Sequence, residues 1–116
     1  MLASHFRIGG NKNVEEVKEK GTLVQFNNFG LIFLRRPEQK IPKFAFVIST
    51  KVSKLANRRN RIKRALSEAV RQRINAIPPG FDFVFLAKKE VEKKTTDEIM
   101  REVFAAFENK SWLSKD

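Results

Sequence analysis

The chain has 116 residues and is strongly basic, because 24 lysines and arginines outnumber 13 acidic residues and leave a formal net charge of +11. Its length suits one modest core, so we predict a single domain over residues 1–116. The charge points to a polyanionic partner, with nucleic acid as the first candidate and an anionic membrane surface as the second. No apolar run approaches the roughly 18 residues of a membrane span, so no membrane partner is expected. The lack of cysteine excludes disulfides and thiolate metal sites and fits a cytoplasmic location, which we predict.

The first predicted elements are a short helix and two strands. The helix covers Val14–Lys20, with Asn13 as its N-cap, and the glycine that follows ends it. Residues 23–34 form two strands joined at Asn27 and Asn28, because asparagine tolerates the positive φ of a tight turn.

Two further strands are apolar on both faces. Lys43–Ser49 and Phe81–Ala87 both have the pattern of interior strands. The second is followed by Thr95 and Glu98, whose spacing predicts a capping box at the start of the last helix. The apolar face of that helix consists of Ile99, Met100, Val103, Phe104 and Phe107.

A basic helix lies between these strands. Residues 51–73 contain nine lysines and arginines and one acid, a net charge of +8, which leaves only +3 for the rest of the chain. Asn57 is the expected N-cap. The helix has an apolar stripe at Ile62, Leu66, Ala69, Val70 and Ile74. The opposite side carries Asn60, Arg64, Ser67 and Arg71.

The order αβββαβα predicts an α+β fold, a two-layer sandwich of helices on a mixed sheet of about four strands. No catalytic constellation accompanies it. His5 is the only histidine, the acids are scattered, and no glycine-rich phosphate loop is present. A nuclease that binds Mg²⁺ through its own side chains needs converging carboxylates, so we predict no catalytic residues and no metal ligands in the polypeptide.

The cations of the basic helix have two possible explanations. A merely solvated helix face usually mixes charges of both signs at i,i+4 spacing. Here only Glu68 is available, to either Arg64 or Arg71, and the other cations repel each other unless phosphates come between them. Arginine also suits bidentate phosphate contacts. The sequence therefore favours nucleic-acid binding.

The segment Arg59–Arg64, "RNRIKR", resembles the signature helix of the bacterial ribonuclease P protein subunit. The resemblance extends to the flanking strands, since "FVISTK" precedes the helix and "FDFVFLAKK" follows it, and it covers roughly residues 7 to 108. It implies a protein cofactor of a ribozyme that removes the 5′ leader from precursor tRNA, with hydrolysis performed by the RNA and Mg²⁺. It also implies a ribosomal protein S5 domain 2-like fold with a left-handed β–α–β crossover, although the general rule is right-handed.

The resemblance also implies two binding surfaces. The surface expected to contact the catalytic RNA consists of Lys51, Lys54, Arg58, Arg59, Asn60, Arg61, Lys63 and Arg64. The cleft expected to receive the single-stranded leader, between the first helix and one sheet face, is assigned to Val14, Lys18, Ile32 and Phe29. The family commonly has aromatic residues in this cleft, but this chain has no tyrosine. Its partners would be the catalytic RNA and the precursor tRNA leader, with no obligate protein partner.

Two alternatives explain part of the pattern. A ribosomal or general RNA-binding module accounts for the charge but not for the flanking strand sequences. A free-standing protein nuclease accounts for an activity on RNA, but it requires catalytic residues that the sequence does not provide.

Overall fold

The structure is a computed structural model that describes residues 2–115. Its main elements are α1 (Asn11–Lys20), β1 (Thr22–Gln25), β2 (Phe29–Arg35), β3 (Lys43–Val47), α2 (Ala56–Gln72), β4 (Phe81–Ala87) and α3 (Thr96–Glu108). Short 3-10 helices occupy Ser4–Phe6, Ile74–Ala76, Lys89–Lys93 and Ser111–Lys115. The predicted order αβββαβα is confirmed. In this part of the chain, no helix combines the length and apolarity needed to cross a membrane.

The strands form one mixed sheet in the order β1-β2-β4-β3. β2 is antiparallel to both of its neighbours, whereas β3 and β4 are parallel and are connected through α2. β4 is an interior strand, as predicted. The prediction that β3 is also interior is wrong, because it lies at an edge and most of its residues are only partly buried. The left-handed sense of the β3–α2–β4 crossover stays a prediction.

The larger part of the core lies between the sheet and the helices α2 and α3. Alternate residues of a strand point to the same face, and on this face β2 and β4 contribute mainly phenylalanines. Phe83 stacks on Phe44 at a ring distance of 5.2 Å and meets Phe107 of α3 edge-on at 5.7 Å. Trp112 closes this core from the C-terminal side, and its Nε1 donates to the carbonyl of Ala106 at 2.8 Å.

The opposite face of the sheet is partly covered by α1. Val17 has no exposed surface and packs with Ile32 and Val84 in a small separate cluster. Gly21 lies so close to β2 that a Cβ there would come within 2.6 Å of a side-chain carbon of Ile32. Glycine is therefore required where α1 turns into β1.

Both predicted asparagine caps are wrong. α1 begins at Asn11 after Gly10, whose φ of 79° is easily accessible only to glycine. Asn13 lies within this helix, and its side chain donates to the carbonyl of Gly9. The N-cap of α2 is Leu55 instead of Asn57, and no side chain caps the helix. The capping box at the start of α3 is confirmed by both reciprocal hydrogen bonds.

The β1–β2 turn lies at Asn27 and Asn28 as predicted, but neither residue has the positive φ that was expected. Instead, Glu102 of α3 accepts hydrogen bonds from the main-chain N–H groups of both asparagines, at 2.9 and 3.1 Å. The turn is therefore held by a tertiary contact.

Candidate RNA interface

The cations at the start of α2 lie on an exposed surface. Four residues of the predicted apolar stripe, Ile62, Leu66, Ala69 and Val70, are buried at no more than 1% exposure. The fifth, Ile74, lies beyond the end of α2 in the next 3-10 helix and is only partly buried. Ser67, which was expected on the solvent side, is also buried, since α3 packs against that side of α2. The exposed residues of the predicted surface are Lys51, Lys54, Arg58, Asn60, Lys63 and Arg64.

Two arginines of this surface donate hydrogen bonds to main-chain carbonyl groups. Nη1 of Arg59 donates to the carbonyl of Ser53 at 2.9 Å. Arg61 donates to two carbonyls beyond β4, to Lys94 at 3.2 Å and to Glu92 at 3.4 Å. These bonds fix the two guanidinium groups in place and leave each of them with further N–H donors for a ligand.

A second basic segment joins the first. The 3-10 helix Lys89–Lys93 lies beside the start of α2, where Arg58 forms an ion pair of 3.4 Å with Glu92. A hydrogen bond from Ser53, together with the charge of Arg58, lowers the pKa of Glu92. Lys89 and Lys93 are exposed. These two lysines are not among the predicted RNA-binding residues, because β4 separates them from α2 along the chain; the "AKKEVEKK" run is the signal that could have indicated them.

The cations at the other end of α2 are engaged within the protein. Arg71 binds Glu68 through two hydrogen bonds, one of 2.9 Å, and Arg71 lowers the pKa of Glu68 to about 2. Gln72 also donates to Glu68. Arg73 lies over the ring of Phe104, 3.9 Å from its centroid. Within residues 2–115, the ion pairs of α2 cations involve Arg58 and Arg71, so Lys63 and Arg64 carry charge without an acidic partner.

The second predicted surface is bounded by α1, which an ion-pair network holds on the sheet. Arg36, just after β2, contacts Glu16 of α1 and donates from Nε to Asp82 of β4 at 3.1 Å. Gln39 donates to the other oxygen of Asp82 at 3.0 Å. Asp82 is 5% exposed, and these contacts satisfy its carboxylate. The hydrogen bonds with Glu16 and Asp82 raise the pKa of Arg36.

Lys18 and Val14 lie on the side of α1 that faces away from this network. Residues two positions apart on a helix point about 200° apart, so Lys18 is almost opposite Glu16, while Val14 lies one turn before Lys18. Lys18 contacts Glu15 at 3.4 Å and remains exposed. Val14 is partly buried against the small cluster beneath α1.

The strands provide an apolar floor beside α1. Ile32 lies on this face, and the neighbouring row across the sheet contains Leu86 opposite Val47. Both of these residues are only partly buried, and neither is among the predicted cleft residues. Assigning Phe29 to this cleft is inconsistent with the structure, because it points to the opposite face, is fully buried and packs 5.2 Å from the ring of Phe85. Odd and even positions of a strand cannot share a face.

Across the described residues, no group of three or more histidine, aspartate or glutamate side chains is arranged to hold a metal ion. Together the two surfaces present cationic, amide and aliphatic groups.

The family model described as "Ribonuclease P" matches residues 2–111. The chain is 31% identical over 115 residues to the ribonuclease P protein component of Geobacillus sp. (strain WCH70), which covers 99% of this chain and 98% of the relative. It is 39% identical over 72 residues to the protein component of Fusobacterium nucleatum, covering 62% of this chain and 64% of the relative.

The fold is similar to two solved ribonuclease P proteins. The Staphylococcus aureus protein superposes with a TM-score of 0.82 at 23% identity, covering 95% of each chain. The Thermotoga maritima protein gives a TM-score of 0.77 at 21% identity, covering 87% of this chain and 94% of the other. The matching family model, the full-length relative and the shared fold agree, and the chain belongs to the family of bacterial ribonuclease P protein components.

Proposed function

We propose that this protein component of ribonuclease P, a tRNA-processing endoribonuclease, binds the catalytic RNA through the start of α2 and the 5′ leader of precursor tRNA through the cleft beside α1. The RNA and its Mg²⁺ ions carry out the hydrolysis. No observation favours a ribosomal or general RNA-binding module over this function.

One observation carries the first half of this proposal. Among the described residues, Lys63 and Arg64 are exposed and lack acidic partners, whereas Arg71 on the same helix is bound to Glu68. Cations that are left without protein partners are suited to neutralise phosphates and to release their counterions. Arg59 and Arg61 adjoin them with their guanidinium groups already oriented. The proposed RNA surface keeps all eight predicted residues and adds Lys89 and Lys93.

The second half is supported by the cleft beside α1, to which we assign Val14, Lys18 and Ile32 from the sequence and Val47 and Leu86 from the structure. Its floor is aliphatic, and Lys18 supplies a positive charge at its margin. Stacking of leader bases on aromatic side chains is not available from these residues. We propose that the leader is held there by charge and by the shape of the cleft.

Reconstitution tests the whole proposal. A bacterial ribonuclease P RNA is incubated with precursor tRNA at limiting Mg²⁺, with and without the protein, and the protein is also incubated with Mg²⁺ and substrate in the absence of the RNA. We expect the protein to accelerate cleavage only when the RNA is present. Site-specific cleavage by the protein alone would contradict the proposal.

The leader site needs a separate measurement. The ratio of affinities for precursor tRNA with and without its leader is measured in the holoenzyme for Lys18→Glu and for the matched control Lys12→Glu. Lys12 is exposed on the outer side of α1, and the two variants have the same net charge. We expect Lys18→Glu to lower this ratio several-fold and Lys12→Glu to leave it unchanged. Equal ratios for the two variants would exclude Lys18 from the leader site.

A further inference from the structure

A groove of about 420 Å³ lies between α2 and α3. Met100 lines it with aliphatic surface, and Ala65, which is 2% exposed, lies at its floor. Arg61 and Arg64 contribute guanidinium groups from α2, and Thr96 borders the groove at the start of α3. Its volume is at the lower end of the roughly 300–1,000 Å³ typical of small-ligand sites. It accommodates a ligand of the size of one nucleotide and excludes a helical RNA segment.

We infer that this groove binds a single unpaired nucleotide of the catalytic RNA, with the base against Met100 and Ala65 and the phosphate near Arg64. This inference rests on the proposed binding of α2 to that RNA. It adds a site that reads a base, on a surface otherwise assigned to phosphate contacts.

The chemistry of the groove matches this ligand. The polarizable sulfur of methionine makes favourable contacts with aromatic rings, and arginine binds phosphates and also stacks on bases. The acidic residue that borders the groove, Glu68, is engaged by Arg71 and Gln72. The groove therefore keeps the positive character needed for an anionic ligand.

The position of the groove also favours an RNA ligand. Arg61 is held at its border by the carbonyls of Glu92 and Lys94, so this wall is already arranged before a ligand binds. Arg64 lies on the same helix as Asn60 and Lys63, about one turn or less away. An RNA strand that binds the exposed start of α2 would pass the mouth of the groove and could place one unstacked base in it.

The test fills the groove without changing the charge. Thr96 is exposed at the first position of α3, and Thr96→Trp would place a ring over Met100. Ala105→Trp is the control, since Ala105 is exposed on the same helix away from the groove. Thermal unfolding of both variants establishes that they are folded. Affinity for catalytic RNA is then measured from low to high salt.

We expect Thr96→Trp to bind the RNA about tenfold more weakly at every salt concentration. The salt slope should be unchanged, because the new ring displaces only the base, whose contact releases no counterions, and Arg64 at the mouth of the groove can still neutralise a phosphate. Ala105→Trp should bind like the parent. In base-specific chemical probing of the RNA, one unpaired base should be protected by the parent and by Ala105→Trp and be reactive with Thr96→Trp.

Binding of Thr96→Trp equal to the parent, or a change only in its salt slope, would overturn the inference. Arg64→Ala, measured in parallel, separates this result from failure of the proposed function. If Arg64→Ala weakens binding and Thr96→Trp does not, only the nucleotide site is refuted. If Arg64→Ala also binds like the parent, the α2 surface itself is refuted.

Discussion

The guanidinium group of Arg61 in α2 donates a hydrogen bond of 3.2 Å to the main-chain carbonyl of Lys94. Two residues 33 positions apart in the chain are thereby joined, and the basic segment after β4 is held against the start of the basic helix. Arg61 thus has a structural role in addition to any contact with RNA.

We expect Arg61→Ala to lower the free energy of unfolding by about 1–3 kcal/mol, because the carbonyls of Glu92 and Lys94 lose a charged donor in a partly buried site. Arg64→Ala is the matched control and should change stability by no more than about 0.5 kcal/mol, since Arg64 is exposed. Urea unfolding of both variants measures this difference. Equal free energies of unfolding for the two variants would show that the hydrogen bonds of Arg61 do not stabilise the fold.

Alanine substitutions along α2 should distinguish cations that are available to RNA from cations that are already paired within the protein. Lys63→Ala and Arg64→Ala should each reduce the salt slope of catalytic-RNA binding by about 0.7–0.9 for each phosphate that the variant no longer neutralises, and should weaken affinity by roughly 1–3 kcal/mol. Arg71→Ala should have a smaller effect, because Arg71 is bound to Glu68. Filter binding over a salt series provides the slopes. An identical reduction for all three variants would indicate a non-specific charge effect.

The lysines of the second basic segment should belong to the same RNA surface. We expect the double variant Lys89→Ala/Lys93→Ala to bind catalytic RNA with a salt slope that corresponds to about one or two fewer neutralised phosphates. Lys12→Ala/Lys40→Ala carries the same net charge and removes exposed lysines elsewhere, so it controls for long-range attraction. If the two double variants behave alike, the segment contributes only to the overall field of the protein.

The contact between Glu16 and Arg36 should make the attachment of α1 sensitive to acid. The hydrogen bond from Arg36, followed by that from Lys20, lowers the pKa of Glu16 from its ordinary value of 4.5. A carboxyl whose pKa is lower in the folded chain adds stability above its unfolded pKa, and this stability is lost as the pH falls through the folded value.

The parent should therefore have a higher melting temperature than Glu16→Gln at pH 7, and this advantage should shrink below about pH 4.5. Glu19→Gln is the control, because Glu19 is exposed on the same helix. Melting curves from about pH 7 to about pH 3 test the prediction. An advantage that stays constant over this range would mean that the Glu16 carboxylate does not stabilise the fold.

Trp112 should be a major stabilising residue although it lies beyond α3. It is 6% exposed and contacts the rings of Phe26, Phe33 and Phe107 at centroid distances between 5.5 and 6.2 Å. We expect Trp112→Ala to cost about 3–5 kcal/mol, and Trp112→Phe to cost less while removing the hydrogen bond to Ala106. Denaturation followed by circular dichroism compares them. A destabilisation below about 1 kcal/mol for Trp112→Ala would contradict this packing.

The sequence by itself determined the elements and the nature of the partner, because these depend on local patterns. The spacing of Ile62, Leu66 and Val70 defines the buried side of α2, and Thr95 with Glu98 defines the start of α3. The concentration of arginine around "RNRIKR" and the flanking strand sequences were sufficient to identify the family.

Only the tertiary structure decided which of these side chains remain available to a ligand. Ser67 and Arg64 both lie on the polar side of α2 in the sequence pattern, yet packing of α3 buries Ser67 and leaves Arg64 exposed. Phe29 and Ile32 differ by three positions in one strand, and the pleat places them on opposite faces. Strand order places β3 at the edge of the sheet, and the hydrogen bonds from Arg61 place Lys93 beside α2. Neither arrangement could be predicted from the sequence, because contacts between distant segments leave no periodic signal in it.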